Sequence, residues 1–321
     1  MDPLSDVLRA IRLAGAFFFD VQATEPWVAE TPRGSTVVSA MFPGSEHLIS
    51  YHLILEGSCW VCMDGEPDLH LSSGDIVVLP HGDAHAMSST PGLRRSPDMK
   101  MYRMPKDGQL PVTIAVGDGA QKAATRFVCG FVGCDLRPYN PLLAALPRVF
   151  RLSDHVGGPL GAYFRFALAE SKDPRLGGAG VLSRISELML VDAVRRYLES
   201  LPTERTNWLG GLRDPFVGRA LATLHRDPAR DWTLLSLARQ VALSRSALAE
   251  RFTQFVGQPP MQYLTNWRMQ LAANYLRTGN EAIVAIANRV GYQSEAAFSR
   301  AFKKAVGTPP SEWRAQHRGV A

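Results

Sequence analysis

Apolar residues recur with a helical period at the start of the chain, in short β-type runs through its middle, and with a helical period again to its end. Leu4, Val7, Leu8 and Ile11 stand three and four apart, which predicts a short amphipathic helix. From about Ser35 to Cys134 come the β-rich runs STVVSAMF, LISYHLIL, CWVCM, DIVVLP and RFVCGFV, punctuated by Asp64-Gly65 and Ser73-Gly74. Short strands at that spacing predict an antiparallel barrel or sandwich. Residues 178–200 return to the helical period, with Leu182, Ile185, Leu188, Leu190 and Val194 in a broad apolar stripe. Such a stripe fits a plain core helix and equally a helix that packs on its own domain and also dimerises. Residues 202–212 (PTERTNWLGGL) have the polar, glycine-containing composition of a linker.

Beyond the linker one pattern occurs twice. Ala238-Arg239-Gln240-Val241-Ala242 followed by LSRSALAERFTQFVGQPP reappears as Ala287-Asn288-Arg289-Val290-Gly291 followed by YQSEAAFSRAFKKAVGTPP. Ser244 and Ser294, Phe252 and Phe302, and Gly257 and Gly307 are each 50 positions apart, whereas Ala238 and Ala287 are 49 apart, so one residue is inserted at the turn. Each copy reads as an apolar helix, a tight turn and a second helix with a polar face, the helix-turn-helix plan. In the first copy Thr233 is placed to cap LLSLARQV, and Ser244 to cap a helix that buries Leu248, Phe252 and Phe255. In the second, Ile283, Ile286 and Val290 form the buried stripe and Gly291 takes the turn, where positive φ is easiest for glycine. Ser294 then caps a helix burying Phe298 and Phe302. Leu264, Trp267, Leu271 and Tyr275 make a stripe long enough for a rigid helix between the copies, ending at Gly279-Asn280. Two such units at a fixed distance predict recognition helices in successive major grooves of double-stranded DNA.

Charge is distributed to match. From Arg213 onward there are 15 Lys/Arg against 7 Asp/Glu, a net +8, while residues 1–212 carry 20 against 23. A basic third joined to a mildly acidic remainder fits a phosphate-binding module attached to a second domain. No apolar run approaches the ~18–20 residues that span a bilayer. Asp2 and Asp6 occupy the stretch that a secretory signal makes basic, so the expected location is cytoplasmic, with no membrane partner. Cys59, Cys62, Cys129 and Cys134 are accordingly expected as reduced thiols. Cys59 and Cys62, three apart on a strand, face opposite sides and do not suit a shared metal.

The text IANRVGYQSEAAFSRAFKKAVGTPPSEWR, within residues 213–318, resembles the AraC/XylS family of bacterial transcription regulators. The resemblance implies one all-α domain carrying both helix-turn-helix units and reading two major-groove segments ~10 bp apart. Aligned base-reading positions fall on Glu295, Ala296, Ser299 and Arg300 in the second unit and on Ser246, Ala249 and Glu250 in the first. Arg300 suits a guanine edge, to which arginine donates two hydrogen bonds. Arg245 and Arg251 lie near for phosphates, and Glu250 either accepts from a cytosine amine or pairs with Arg251.

Residues 74–85 (GDIVVLPHGDAH) match G-x5-P-x-G-x2-H, the second motif of cupins, which places His85 inside a β-barrel. Metal-dependent cupins add two histidines and a glutamate from an earlier strand. Counting back from Gly57, the glutamate position is Ser50 and the histidine positions fall in 43–46, which lacks histidine. His52, two residues past Ser50, shares its inward face by alternation. The His52/His85 pair is read either as hydrogen-bonded core histidines, as a binding pair for a small polar effector, or as an adventitious metal site. With FVCGFVGCDL and NPLLAALPRVFRL, this region resembles the cupin sensor found in front of one group of AraC-type regulators. Some relatives of that sensor respond to oxidants through a thiol near Cys129, so Cys129 is either a redox sensor or an inert structural residue. Between His85 and Arg126, the basic loop with Arg94, Arg95, Lys100, Arg103 and Lys106 is either mobile or a lid.

The resulting expectation is a two-domain chain: a cupin-type β-barrel with flanking helices over 1–200, then the bipartite helix-turn-helix domain over 213–318. Its function is effector-responsive, sequence-specific transcription control without a cofactor, as a homodimeric activator working with RNA polymerase. The rivals are a cupin dioxygenase or isomerase carrying a DNA-binding appendage, a thiol-based redox regulator, and an architectural DNA-binder without an effector.

Overall fold

The computed structural model describes residues 2–11, 13–103, 112–117, 124–135, 138–153, 158–172, 175–202 and 206–317. They form two compact units: Leu13–Asp135 with Leu146–Glu199, and Met1–Arg12 with Leu136–Ala145 and Ser200–Ala321. The expected 1–200 segment therefore gives its first helix, α1 (Pro3–Ala10), and the stretch around α3 (Pro141–Ala145) to the unit that contains the repeat.

The sheet-rich unit contains β1 (Leu13–Ala23), β2 (Val28–Thr31), α2 (Gly34–Met41), β3 (His47–Glu56), β4 (Ser58–Cys62), β5 (Leu69–Ser72), β6 (Asp75–Leu79), β7 (His85–Ser88), β8 (Val112–Val116), β9 (Thr125–Cys134) and β10 (Phe150–Ser153). Helices α4 (Pro159–Lys172) and α5 (Gly178–Ser200) follow. One sheet runs β10-β6-β3-β9-β1-β8 and the other β2-β7-β4-β5, so the strands form two sheets rather than a closed barrel. The sheets face each other, as His52 on β3 meeting His85 on β7 and Trp27 stacking on Phe127 of β9 at 5.3 Å attest. Strand β3 reads as an almost unbroken apolar run because both its faces are covered. Tyr51 turns outward against Phe164 of α4, while its ring lies on Gly130, where a Cβ would stand 1.9 Å away.

STVVSAMF, expected as a strand, is α2. Its β-branched residues suggest a strand, but Gly34, Val37, Val38 and Met41 stand at i, i+3, i+4 and i+7, and that helical stripe is what is buried. Along α5, Leu182, Ile185, Leu190 and Val194 are buried and Leu188 is 44% exposed, so most of the stripe is core. The expected linker is partly structure: Trp208 and Leu209, both buried, open α6 (Trp208–Arg213), which Asn207 caps by accepting from the Gly210 N–H.

The helical unit continues with α7 (Val217–Arg226), α8 (Leu234–Gln240), α9 (Arg245–Val256), α10 (Pro260–Thr278), α11 (Ile283–Arg289), α12 (Glu295–Val306) and α13 (Pro310–His317). Helices α8–α9 and α11–α12 are the two helix-turn-helix units, and α10 joins them. The turn alignment is visible in the backbone. Leu243 N–H donates to Ala238 C=O and Tyr292 N–H to Ala287 C=O, while Ala242 and Gly291 both take positive φ, at 59° and 85°. The second unit's core gathers Ile286, Val290, Phe298, Phe302 and Trp313 with Met269 and Leu276 of α10.

Candidate nucleic-acid interface and sensor cavity

Side-chain caps fix the rotational phase of the two recognition helices. Ser244 accepts from the Ala247 N–H and Ser294 from the Ala297 N–H, each at 3.2 Å. Once Leu248 and Phe252 are buried, Arg245, Ser246 and Glu250 of α9 are exposed and Ala249 is half-buried. In α12, burial of Phe298 and Phe302 leaves Glu295, Ala296 and Arg300 exposed and Ser299 half-buried. Among the described residues the side chains of Arg245, Glu250, Glu295 and Arg300 have no hydrogen-bond or ion-pair partner. They are therefore available to a ligand without first breaking an internal contact.

Arg251 is different. Its guanidinium grips Asp214 with Nε at 3.1 and 3.0 Å and Nη2 at 2.6 Å, so the alternative pairing with Glu250 does not form. Asp214 also accepts from the Phe216 and Val217 N–H groups at the start of α7. Burial pushes its carboxyl pKa up, but those donors and Arg251 outweigh it and hold the pKa below the ordinary value. The pair fastens α9 to α7 and is structural.

Sequence reading missed Arg268, which joins the two units. From α10 it donates to Pro228 C=O at 2.7 Å and Arg230 C=O at 2.8 Å in the loop before α8, and its guanidinium lies over Tyr292 in the second turn. A Cβ on Gly291 would come within 2.4 Å of Ala229 C=O, so the second turn packs against the same loop. These contacts lock the separation of the recognition helices. An isolated interior arginine carries no recognisable motif, which is why periodicity did not reveal it.

In the sheet-rich unit His52 Nε2 and His85 Nε2 are 2.7 Å apart and both residues are fully buried. His85 Nδ1 lies 2.9 Å from Asp83 C=O, an acceptor only, so Nδ1 carries the proton and Nε2 accepts. His52 must then donate from Nε2. Burial, with His85 beside it, holds His52 well below its ordinary pKa, and burial lowers His85 to about 4. The two Nε2 atoms satisfy each other, whereas His52 Nδ1 is buried with no hydrogen-bond partner among the described residues; of the three readings the geometry is that of a hydrogen-bonded core pair, and neither ring lines the cavity described below. Among the described residues no three His, Cys, Asp or Glu side chains converge as metal ligands, and Ser50 holds the acid position, so a cupin metal does not fit. The neutral pair has a pH consequence. The unfolded chain takes up a proton at His85 near pH ~6.5, but the folded chain only near about 4. Stability from His85 is fully present above the unfolded value and is lost as pH falls between these two limits. Denaturant titrations at pH 7.5 and 4.5 should show the sheet-rich unit weakened at the lower pH; equal midpoints would contradict the neutral pair.

Among the described residues, a cavity of about 270 Å³ opens beside this pair, toward the edge strands β8 and β2 of the two sheets. Its walls include Phe19 and Val21 of β1, Val28 of β2, Ile114 of β8, and Cys129 and Phe131 of β9. Tyr102 closes one side through its hydroxyl, which donates to Glu30 C=O at 3.2 Å. Glu30 is pinned by Arg94 at 2.6 Å, and Arg94 also binds Asp64, so the first basic residue of the long loop holds a residue of the wall without itself lining the cavity. Arg95 sits exposed at the rim, and Lys106 lies outside the described residues. Cys129 is buried, which pushes its thiol well above the ordinary range, and Cys59 adds to the rise. Arg126, three positions before Cys129, is paired with Asp20 at 2.8 Å. The cavity residues on β1, β2 and β8 escaped sequence reading because those strands were not recognised.

Comparison with known proteins accords with both halves. A cupin family profile matches residues 2–199 and a helix-turn-helix domain profile residues 237–316. A putative AraC-like transcription regulator of Streptomyces lividans is 32% identical, with 98% of each chain covered. Another of the same description from Streptomyces antibioticus is 31% identical, again over 98% of each chain. The HTH-type transcriptional regulator AlkR of Acinetobacter baylyi is 29% identical over 98% of this chain and 100% of its own. All three relatives bear the names of transcription regulators and none that of an enzyme. Among the described residues no helix is long and apolar enough to cross a membrane.

Proposed function

Because this chain belongs to the AraC-type DNA-binding transcription regulators that carry an N-terminal cupin domain, we propose that it reads an operator with α9 and α12 and responds to an effector held in the cavity between its two sheets. The observation that carries the reading is the pair of recognition helices in matched phase, held at a fixed separation by α10 and Arg268, with Arg245 and Arg300 unpaired on the exposed face. Glu295, Ala296, Ser299 and Arg300 contact bases in one major groove, Ser246, Ala249 and Glu250 in the next, and Arg245 a phosphate. The effector site moves from the His52/His85 pair to the cavity, where an apolar wall and a rim arginine suit a small molecule with an apolar body and one polar end. Cys129 serves as wall, because a protonated buried thiol is a poor nucleophile toward oxidants. The regulator acts in the cytoplasm as a homodimer, with RNA polymerase as its protein partner and activation as its output; Leu188 on the outer face of α5 belongs to the dimer contact.

Arg300→Ala in the full chain is expected to lose ~1–3 kcal/mol of discrimination at one base pair of the operator. Competition binding against single-base operator variants measures this directly. An unchanged base preference would remove Arg300 from the reading face.

A further inference from the structure

We propose that Gln270 couples the sensor cavity to the DNA-binding helices, an inference that rests on reading the cavity as the signal site. Gln270 lies within α10, the helix joining the two helix-turn-helix units, and is 4% exposed. Its side-chain amide donates to Ala10 C=O, at the end of α1, at 3.1 Å, and its carbonyl oxygen accepts from the Tyr139 N–H at 3.0 Å. One buried amide thus grips two segments remote in sequence, using both its donor and its acceptor. A buried amide must be fully satisfied to be tolerated, whereas methionine would fill the same space without that demand. Tyr139 is held again at its hydroxyl, which accepts from Gln258 Nε2 at 2.6 Å, and Gln258 follows the glycine that ends α9.

In sequence the two gripped segments adjoin two strands of the cavity wall, β1 and β9. Ala10 is three positions before the start of β1, and Tyr139 five positions after the end of β9. Leu13 and Cys134 are partners in the β1–β9 ladder, so both connections leave that ladder at the same end. Further along the same two strands, Phe19 and Cys129 are also partners, and both line the cavity. An occupant that shifts β1 against β9 at Phe19 and Cys129 displaces both connections together. Gln270 passes that displacement to α10, and α10 sets the geometry of both recognition helices.

Coupling between two sites is reciprocal, so operator binding must in turn alter the cavity strands. The test uses the full chain and a duplex selected by it from a random DNA library, with backbone amide exchange followed free and bound. Operator binding should change exchange at Phe19–Val21 and Phe127–Phe131 by at least about fivefold, the low end of ordinary coupling. The amides of β5, which is remote from the cavity walls, should not respond. Gln270→Met keeps the volume and removes both hydrogen bonds; it should still bind the duplex while losing the response in β1 and β9. Unchanged β1 and β9 exchange in the wild type would overturn the proposal, and that measurement suffices should Gln270→Met fail to fold. A full response persisting in Gln270→Met would overturn it equally. A cavity that accepts no effector would defeat the reading on which the proposal rests while leaving this exchange response in place, so the two failures are distinguishable.

Discussion

Phe302→Ala is expected to destabilise the helical unit by about 3–5 kcal/mol, the usual range for truncating a buried phenylalanine. Phe302 is completely buried, with its ring centroid 5.6 Å from Phe298 and 6.2 Å from Trp313. These rings and Ile286, Val290 and Leu276 leave no flexible edge to collapse into the space. A domain has only about 5–15 kcal/mol in total, so such a loss removes a large share of the folded population under mild stress. Specific DNA binding should fall with it, because α12 cannot hold its phase without this anchor. Denaturant unfolding of the full chain, resolved into its transitions, gives the number. A change below about 1 kcal/mol would show that Phe302 is not a core anchor.

Gly291→Ala should cost about 2–5 kcal/mol, combining the strain of a left-handed backbone with a steric collision. The first unit isolates the two contributions. Ala242 holds the equivalent turn at φ 59°, so a Cβ in left-handed conformation is tolerated there. At Gly291 the same atom would stand 2.4 Å from Ala229 C=O and 2.8 Å from Arg268 Nη2. Backbone oxygen cannot move as a side-chain tip can, so the turn or the loop before α8 must shift. The expected result is a larger penalty for Gly291→Ala than for any relief gained by Ala242→Gly. Thermal unfolding of the two variants beside the wild type decides it, and a neutral Gly291→Ala would mean the two units are not packed at this point.

The helical half was legible in the sequence because its signals are local. Thr233, Ser244 and Ser294 cap the helices they were expected to cap, and Leu248, Phe252, Phe298 and Phe302 are the buried residues their spacing suggested. The duplication also located the turn insertion to within the residues between helices. Contacts made through tertiary structure were not legible. Nothing near Arg251 in sequence announces Asp214, 37 residues away, and Gln270 meets Ala10 across 260 residues. In the sheet-rich half, β1 includes LAGAFFFD, an apolar run that does not alternate and so carries no period-2 signal. In α2 it is the β-branched residues that suggest a strand, against the helical spacing of what is buried. Alternation puts His52, and the cupin motif His85, on inward faces, and a hydrogen-bonded pair is one of the readings this allows; what selects it is a 2.7 Å approach of the two Nε2 atoms between two sheets.

The most direct test of a bipartite reader is the spacing of its half-sites. The two recognition helices are joined by the single helix α10 and stapled by Arg268, so they have little freedom to follow displaced grooves. Affinity should be measured for the selected operator and for a version with 5 bp, about half a helical turn, inserted between the half-sites. The account predicts a loss of at least about tenfold, 1.4 kcal/mol, since one recognition helix would face the wrong side of the duplex. Equal affinity for both duplexes would contradict it.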